Sequence, residues 1–126
     1  MIFVDTNVFM YAVGRPHPLR AEAQEFFAGA VDTATPLATS AEVLQELVHA
    51  YLPIGRTATL DAALALADAV TTVWSLELDD VLMARSLVRQ HPGLGARDLV
   101  HLACCQRRAV DSLQTFDRAL AAAFAA

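Results

Sequence analysis

The chain begins Met1-Ile2-Phe3-Val4-Asp5, a short apolar run that ends in an acidic residue. A continuous apolar run is typical of a strand buried on both faces, as strands are in parallel sheets covered by helices. Ligands of such sheets bind beyond the carboxyl ends of the strands. Asp5 therefore stands where a functional side chain is expected.

Strand-like and helix-like patterns alternate along the rest of the chain. The further strands are predicted over residues 36–39, 70–76 and 112–116, and the helices over residues 18–31, 40–51, 57–69, 79–90, 96–108 and from 117 onward. Because parallel strands need connections that return over the sheet, this alternation predicts a three-layer α/β/α fold with a central parallel sheet. The 126 residues contain no internal linker and are predicted to form a single domain, residues 1–126.

The formal net charge of the chain is −5, and all nine basic residues are arginines. An acidic protein does not hold nucleic acid through a broad positive surface, so any contact with a polyanion must be local. The absence of lysine excludes a P-loop nucleotide site. It also argues against aspartate-nucleophile phosphatases and phospho-receiver domains, since both need a lysine.

The sequence shows no targeting or membrane segment. Asp5 and Asn7 interrupt the only early apolar stretch, which lacks the features of a secretory signal. The alanine-rich run over residues 62–70 is too short to span a membrane. Cys104 and Cys105 are adjacent and poorly placed to bridge each other, which favours a reducing compartment. A soluble, cytoplasmic protein is therefore expected.

Acidic residues from distant parts of the chain are placed to reach one edge of the sheet. Asp5 ends the first strand and Asp117 closes the last, although each is also suited to be the N-cap of the helix that follows. Asp98 opens a helix that is apolar nearly all round, so it is not an ordinary solvated charge. Glu42 and Glu46 share a helix, but only Glu46 borders its apolar face, so Glu46 is the candidate and Glu42 is expected to be solvated.

Carboxylates brought together repel one another by ~1 kcal/mol per pair at about 4 Å in water, and by ~4 kcal/mol at an effective dielectric constant of about 20. A hard divalent cation offsets that repulsion, and Mg²⁺ or Mn²⁺ suits an all-carboxylate site that keeps bound water. Such a metal generates hydroxide and stabilises a phosphodiester during in-line displacement. The sequence therefore predicts a metal site formed by Asp5, Glu46, Asp98 and Asp117.

In order and spacing, these residues resemble the PIN-domain family, and within it the VapC toxins, over essentially the whole chain. The matching segments are Val4-Asp5-Thr6-Asn7, Ser40 with Glu46 six residues later, Ala96-Arg97-Asp98-Leu99, and Thr115-Phe116-Asp117. No single segment is specific, but the ordered set is. Two features depart from the family pattern: Leu120 stands where an aromatic residue is common, and no glycine precedes the last strand.

The resemblance implies a PIN-like fold and an Mg²⁺- or Mn²⁺-dependent endoribonuclease that acts as the toxin of a toxin–antitoxin pair. It implies that the four carboxylates hold the metal, that Asn7 orients Asp5, and that Thr115 places a hydroxyl near the metal. RNA is the implied substrate, and a cognate antitoxin protein is the implied partner, with a tail that places a basic side chain among the carboxylates. A homodimer is also implied.

The sequence leaves two functional alternatives open: a PIN-domain nuclease of RNA processing without an antitoxin, and a catalytically silent PIN-like binding module. Retention of all four carboxylates argues against the silent module, whereas nothing separates the toxin from the processing nuclease. A zinc site that uses His49, His101 and the two cysteines has a spacing unlike that of known structural sites. Arg15, Arg97 and Arg118 flank the candidate site, where they either bind RNA phosphates or are solvated or ion-paired.

Overall fold

The computed structural model describes all 126 residues and contains one sheet of four parallel strands. The strands are β1 (Ile2–Val4), β2 (Leu37–Ser40), β3 (Thr72–Trp74) and β4 (Ser112–Gln114). Their order across the sheet is β3-β2-β1-β4, so β1 is central and pairs with β2 on one side and β4 on the other. The carboxyl ends of β1 and β4 are therefore neighbours, and the predicted parallel sheet is confirmed.

Seven α-helices flank the sheet and complete the predicted three-layer fold. They are α1 (Thr6–Val13), α2 (Arg20–Asp32), α3 (Ala41–Tyr51), α4 (Thr57–Val70), α5 (Leu78–Leu87), α6 (Ala96–Arg107) and α7 (Arg118–Ala125). Helices α1 to α4 pack around a core that includes Phe3, Phe9 and Leu47, whereas α5, α6 and α7 share a second core around Leu102 and Leu120. None of these helices has the length and apolar character that crossing a membrane requires.

Helix α1 is absent from the predicted elements and is the main correction to them. The residues from Val8 to Val13 are apolar throughout, so no 3.6-residue periodicity marks the helix in the sequence. Val8 and Phe9 are fully buried, and Asp5 is the N-cap, accepting a hydrogen bond from the backbone N–H of Thr6 at 2.7 Å. The chain therefore passes from strand to helix at Asp5 itself.

Three predicted elements are longer than the observed ones. The strand predicted over 70–76 is limited to Thr72–Trp74 because α4 continues to Val70, and the helix predicted to residue 90 ends at Leu87. The strand predicted over 112–116 ends at Gln114. Beyond that point Thr115 and Phe116 are hydrogen-bonded to the side chain of Asn7 in α1, and not to a neighbouring strand. The other predicted elements agree with the structure to within two residues.

A buried carboxylate fixes the helix that carries Asp98. Asp80, in α5, is completely buried and accepts hydrogen bonds of 2.7 Å from Arg107 and from Arg108, at the C-terminal end of α6. Its other oxygen accepts a hydrogen bond from the backbone N–H of Glu77 at 2.8 Å. Burial alone would raise the pKa of Asp80, but these donors outweigh it and hold the pKa well below its usual range.

We expect Asp80→Asn to lower the free energy of unfolding by about 2 to 3 kcal/mol. Breaking a fully buried ion pair would cost somewhat more, but both arginines here are partly exposed and solvent screens their interaction with Asp80. The pKa of Asp80 is lowered by folding, so the contribution is fully present above the ordinary value of 3.8 and is lost as the pH falls from there through the folded-state pKa. Urea unfolding at neutral and acid pH measures both effects.

The matched control is Asp79→Asn, since Asp79 is the next residue along and is exposed, 3.8 Å from Arg107. Its expected effect is within about 0.5 kcal/mol. Equal losses of unfolding free energy in the two variants would show that the hydrogen bonds of Asp80 with Arg107 and Arg108 do not hold α5 to α6.

Candidate active site

Asp5 lies where β1 meets α1 and is only 4% exposed. Its Oδ1 accepts a hydrogen bond from the backbone N–H of Thr6, and its Oδ2 accepts one from the hydroxyl of Thr115, both at 2.7 Å. Because Thr115 follows β4, the end of the neighbouring strand holds this carboxylate in place. Each carboxylate oxygen keeps a second lone pair, so Asp5 remains able to bind a further ligand.

Asn7 joins the segment after β4 to helix α1. Its side-chain N–H donates to Thr115 Oγ1 at 3.3 Å, and its Oδ1 accepts from the backbone N–H of Phe116 at 3.1 Å. Thr115 Oγ1 also accepts from the backbone N–H of Asp117 at 3.0 Å. The two predicted supporting residues therefore lie beside Asp5, with Asn7 hydrogen-bonded to Thr115 rather than to Asp5.

Glu46, in α3, reaches the Asp5 junction through two partners. Its Oε2 accepts a hydrogen bond from the hydroxyl of Thr6 at 3.1 Å, and its Oε1 contacts Nε2 of His101 in α6. His101 is 1% exposed, its Nε2 also lies 3.7 Å from Asp5 Oδ1, and its Nδ1 has no hydrogen-bond partner. His101 was not among the predicted site residues, and it lies between two of them.

The charges of Glu46 and His101 favour each other. Burial would lower the pKa of His101, but the contact with Glu46 and the charges of Asp5 and Asp98 outweigh it and raise the pKa. Burial would likewise raise the pKa of Glu46, but His101 and the Thr6 hydroxyl outweigh it and lower the pKa. Glu46 is therefore ionised at neutral pH.

Asp98 and Asp117 complete the acidic group. Asp98 lies in the first turn of α6, half-buried, and its pKa is raised first by burial and then by repulsion from Asp117, Asp5 and Glu46. Asp117 is the N-cap of α7, where its Oδ1 accepts hydrogen bonds from two backbone N–H groups at 2.9 and 3.1 Å. Asp5 and Asp117 are thus both N-caps and members of one acidic group.

The site has the donor chemistry of a hard-cation site but not a closed ligand sphere. No three His, Cys, Asp or Glu side chains converge closely enough to hold a metal ion in this arrangement. Asp117, Asp5 and Glu46 nevertheless repel the charge of Asp98, and Glu46 Oε1 is buried in contact with His101 Nε2. Oxygen ligands that repel one another suit a cation such as Mg²⁺ or Mn²⁺, which would draw them together.

The two cysteines do not form a comparable ligand set. Cys104 and Cys105 are buried in α6 and are not bridged. Burial raises the pKa of the Cys104 thiol to about 11 and raises that of Cys105 as well. Neither thiol is ready to become a thiolate ligand, so nothing here supports the zinc alternative.

Nearly the whole chain matches a known domain family. A family model described as "PIN domain" matches residues 2–124. The chain belongs to the PIN-domain family. Ribonuclease VapC23 of Mycobacterium tuberculosis is 60% identical to it over 124 residues, which cover 98% of each chain. Ribonuclease VapC13 of the same organism is 38% identical over 119 residues, covering 94% of this chain and 91% of that protein. The predicted resemblance is confirmed.

Solved structures agree on the fold. The crystal structure of Mycobacterium tuberculosis VapC20, described as a Sarcin-Ricin loop cleaving toxin, matches with a TM-score of 0.77 and 22% identity, covering 98% of this chain and 95% of that one. VapBC2 from Rickettsia felis, bound to a DNA fragment from its promoter, matches with a TM-score of 0.68 and 18% identity, covering 93% of this chain and 89% of that one. At these identities the two structures support the fold alone.

Proposed function

We propose that this chain is an endoribonuclease that cuts RNA phosphodiester bonds with Mg²⁺ or Mn²⁺ held by Asp5, Glu46, Asp98 and Asp117. The observation that carries the proposal is the placement of these acids at one edge of the sheet: Asp5 is buried where β1 meets α1, and Glu46 reaches the same junction through Thr6 and His101. Repulsion from the other three carboxylates, together with burial, raises the pKa of Asp98. A divalent cation bound at the carboxyl edge of the parallel sheet would offset the repulsion between these carboxylates. The enzyme class agrees with the names of the relatives, which are ribonucleases.

Neighbouring residues orient the carboxylates that would bind the metal. Thr115 orients Asp5 through a hydrogen bond of 2.7 Å, and Thr6 and His101 orient Glu46. A bound divalent cation supplies a hydroxide nucleophile and stabilises the charge that develops on the phosphodiester. The buried placement of Asp5 and the partial burial of Glu46 and Asp98 strengthen their hold on a cation, because solvent screens them less than it screens exposed carboxylates.

We also propose that the chain is the toxin of a toxin–antitoxin pair, as its similarity to VapC proteins suggests. An acidic site on a protein of net charge −5 attracts a basic side chain, and an antitoxin that supplied one would compete with the metal. The homodimer remains a prediction. Leu78, Val81 and Leu82 of α5 and Val88, which follows that helix, are exposed apolar side chains.

The alternatives are a PIN nuclease of RNA processing and a silent binding module. The full set of four carboxylates disfavours the silent module, since a domain without catalysis would not need to retain all four proposed metal ligands. A gene for a DNA-binding antitoxin next to the gene of this chain would separate a toxin from a processing nuclease.

We expect the purified protein to cleave single-stranded RNA with Mg²⁺ or Mn²⁺ and to lose that activity in excess EDTA, because the proposed nucleophile is a water molecule that only a bound divalent cation would activate. Addition of Mn²⁺ beyond the EDTA should restore cleavage. An Asp5→Asn variant purified in the same way controls for contaminating nucleases. Cleavage that persists undiminished in EDTA would contradict the proposal.

A further inference from the structure

A cavity of about 300 Å³ lies beside the acidic group, between α1 with the loop that follows it and the end of α3. A volume of this size is at the lower end of the range for small-molecule sites and suits a ligand as small as one nucleotide. The residues that matter for its chemistry are two arginines, three rings and one amide: Arg15, Arg56, Tyr11, His17, Tyr51 and Asn7.

The cavity is joined to the acidic group through the segment that ends in Asp117. Asn7 lines the cavity and is hydrogen-bonded to Thr115 and to the backbone N–H of Phe116. The ring of Tyr11, another lining residue, meets Phe116 edge-on with the centroids 5.4 Å apart. An RNA strand with one phosphate at the carboxylates therefore has a neighbouring nucleotide within reach of this cavity.

The charge of the cavity is opposite to that of the acidic group. Arg15 is exposed and Arg56 is half-buried, neither forms an ion pair, and no acidic residue lines the cavity. Arg56 lies over the ring of Tyr51 at 6.0 Å from the centroid and donates a hydrogen bond to Thr59 at 3.3 Å, so its position is defined. Two unpaired guanidinium groups on an acidic protein favour an anionic ligand over a basic protein segment.

The rings of the cavity offer stacking surface. His17 is exposed and packs against the ring of Tyr11, with the ring centroids 4.5 Å apart and the planes tilted by 35°. His17 Nδ1 accepts a hydrogen bond from the backbone N–H of Leu19 at 3.1 Å, so the ring carries its proton on Nε2 and presents a donor there. Aromatic rings beside arginines are the combination that binds unpaired bases of single-stranded nucleic acid.

We propose that this cavity is a subsite for one unpaired ribonucleotide of the substrate, adjacent to the bond that is cut. Its base stacks on the Tyr11–His17 pair, and its phosphate is bound by Arg15 and Arg56. The inference rests on the proposed ribonuclease function, and it assigns recognition of the RNA to a part of the chain other than the carboxylates.

The test is the affinity of a short, fluorescein-labelled single-stranded RNA in EDTA, measured by anisotropy, so that no cleavage interferes. Arg15→Ala and His17→Ala are each expected to weaken binding about tenfold, within the range for loss of one stacking or phosphate contact. Both side chains are exposed, and thermal unfolding verifies that the variants fold. Arg89→Ala is the matched control, because Arg89 is exposed, forms no ion pair and lines no cavity. Arg89→Ala is expected to change the affinity less than about twofold, because substitutions of exposed residues usually have effects within about ±0.5 kcal/mol.

Unchanged affinity in both cavity variants, or an equal loss in Arg89→Ala, would overturn the subsite. The subsite would also be wrong if the two substitutions spared RNA binding and instead weakened binding of the protein encoded by the adjacent gene, since the cavity would then serve an antitoxin. The same RNA with wild-type protein and Mn²⁺ tests the proposed function separately. Binding that depends on Arg15 and His17 without any cleavage would contradict the nuclease, and the cavity would then be a ribonucleotide-binding site without an adjacent cleavage site.

Discussion

Asp98→Asn is expected to lower the rate of RNA cleavage roughly 1,000-fold, the equivalent of about 4 kcal/mol of lost transition-state stabilisation by the metal. The same substitution should leave the thermal stability unchanged or raise it. The charged form of Asp98 is disfavoured in the folded protein by burial and by repulsion from Asp117, Asp5 and Glu46, and an amide of the same size removes that cost. Initial rates and a melting curve on the same sample measure both effects.

The control for this prediction is Asp68→Asn, which makes the same chemical change on an exposed position of α4. It is expected to retain full activity. If Asp98→Asn retained wild-type turnover, Asp98 would have no part in the site. If activity and stability fell together, the loss would reflect damage to the fold.

Glu46→Gln is expected to lower the rate more than about 100-fold, because removal of a ligand should cost more than the ~10- to 100-fold that follows loss of a group supporting a ligand. Glu46 contacts both Thr6 and His101, and through them it is tied to the Asp5 junction. Glutamine keeps the shape of the side chain but not the charge that binds a cation. Single-turnover cleavage at saturating Mn²⁺ measures the loss.

Glu42→Gln is the matched control, four residues earlier on the same helix. Glu42 forms no hydrogen bond or ion pair, as expected of a solvated charge, and its side chain is half-buried. Its substitution is expected to change the rate less than about threefold, in line with a surface change of ±0.5 kcal/mol. The reverse ranking of the two variants would move the second ligand to Glu42.

The strands and most of the helices can be predicted from the sequence, because the local pattern of apolar and polar residues determines them. Apolar runs that end in Asp5 and near Asp117 mark the carboxyl ends of strands, and parallel strands bring those ends together. Helix α1 could not be predicted in this way, because its residues from Val8 to Val13 are all apolar and it therefore has no polar face to mark a helical period. The end of β4 is likewise decided by Asn7, a partner more than one hundred residues away in the chain.

Some residues of the candidate site can likewise be predicted from the sequence, whereas others depend on how distant elements pack together. Its acidic residues can be named from the sequence because each ends a strand or borders the apolar face of a helix. His101 cannot, since a single histidine in an apolar helix is ordinarily a core residue, and its role depends on how α3 and α6 pack. The spacing of three residues between Asp98 and His101, which places both on one face of α6, is the only local signal that could have identified it. The cavity near Arg15 depends similarly on the meeting of the loop after α1 with the end of α3.

Direct titration of the metal tests the central claim, that the four carboxylates form one divalent-cation site. Isothermal titration calorimetry with Mn²⁺, at neutral pH and without RNA, compares the wild type with Asp98→Asn. The wild type is expected to bind Mn²⁺, and the variant to bind it at least about tenfold more weakly. Equal affinity in the two proteins, or no binding by the wild type, would contradict the assignment of these carboxylates as a metal site.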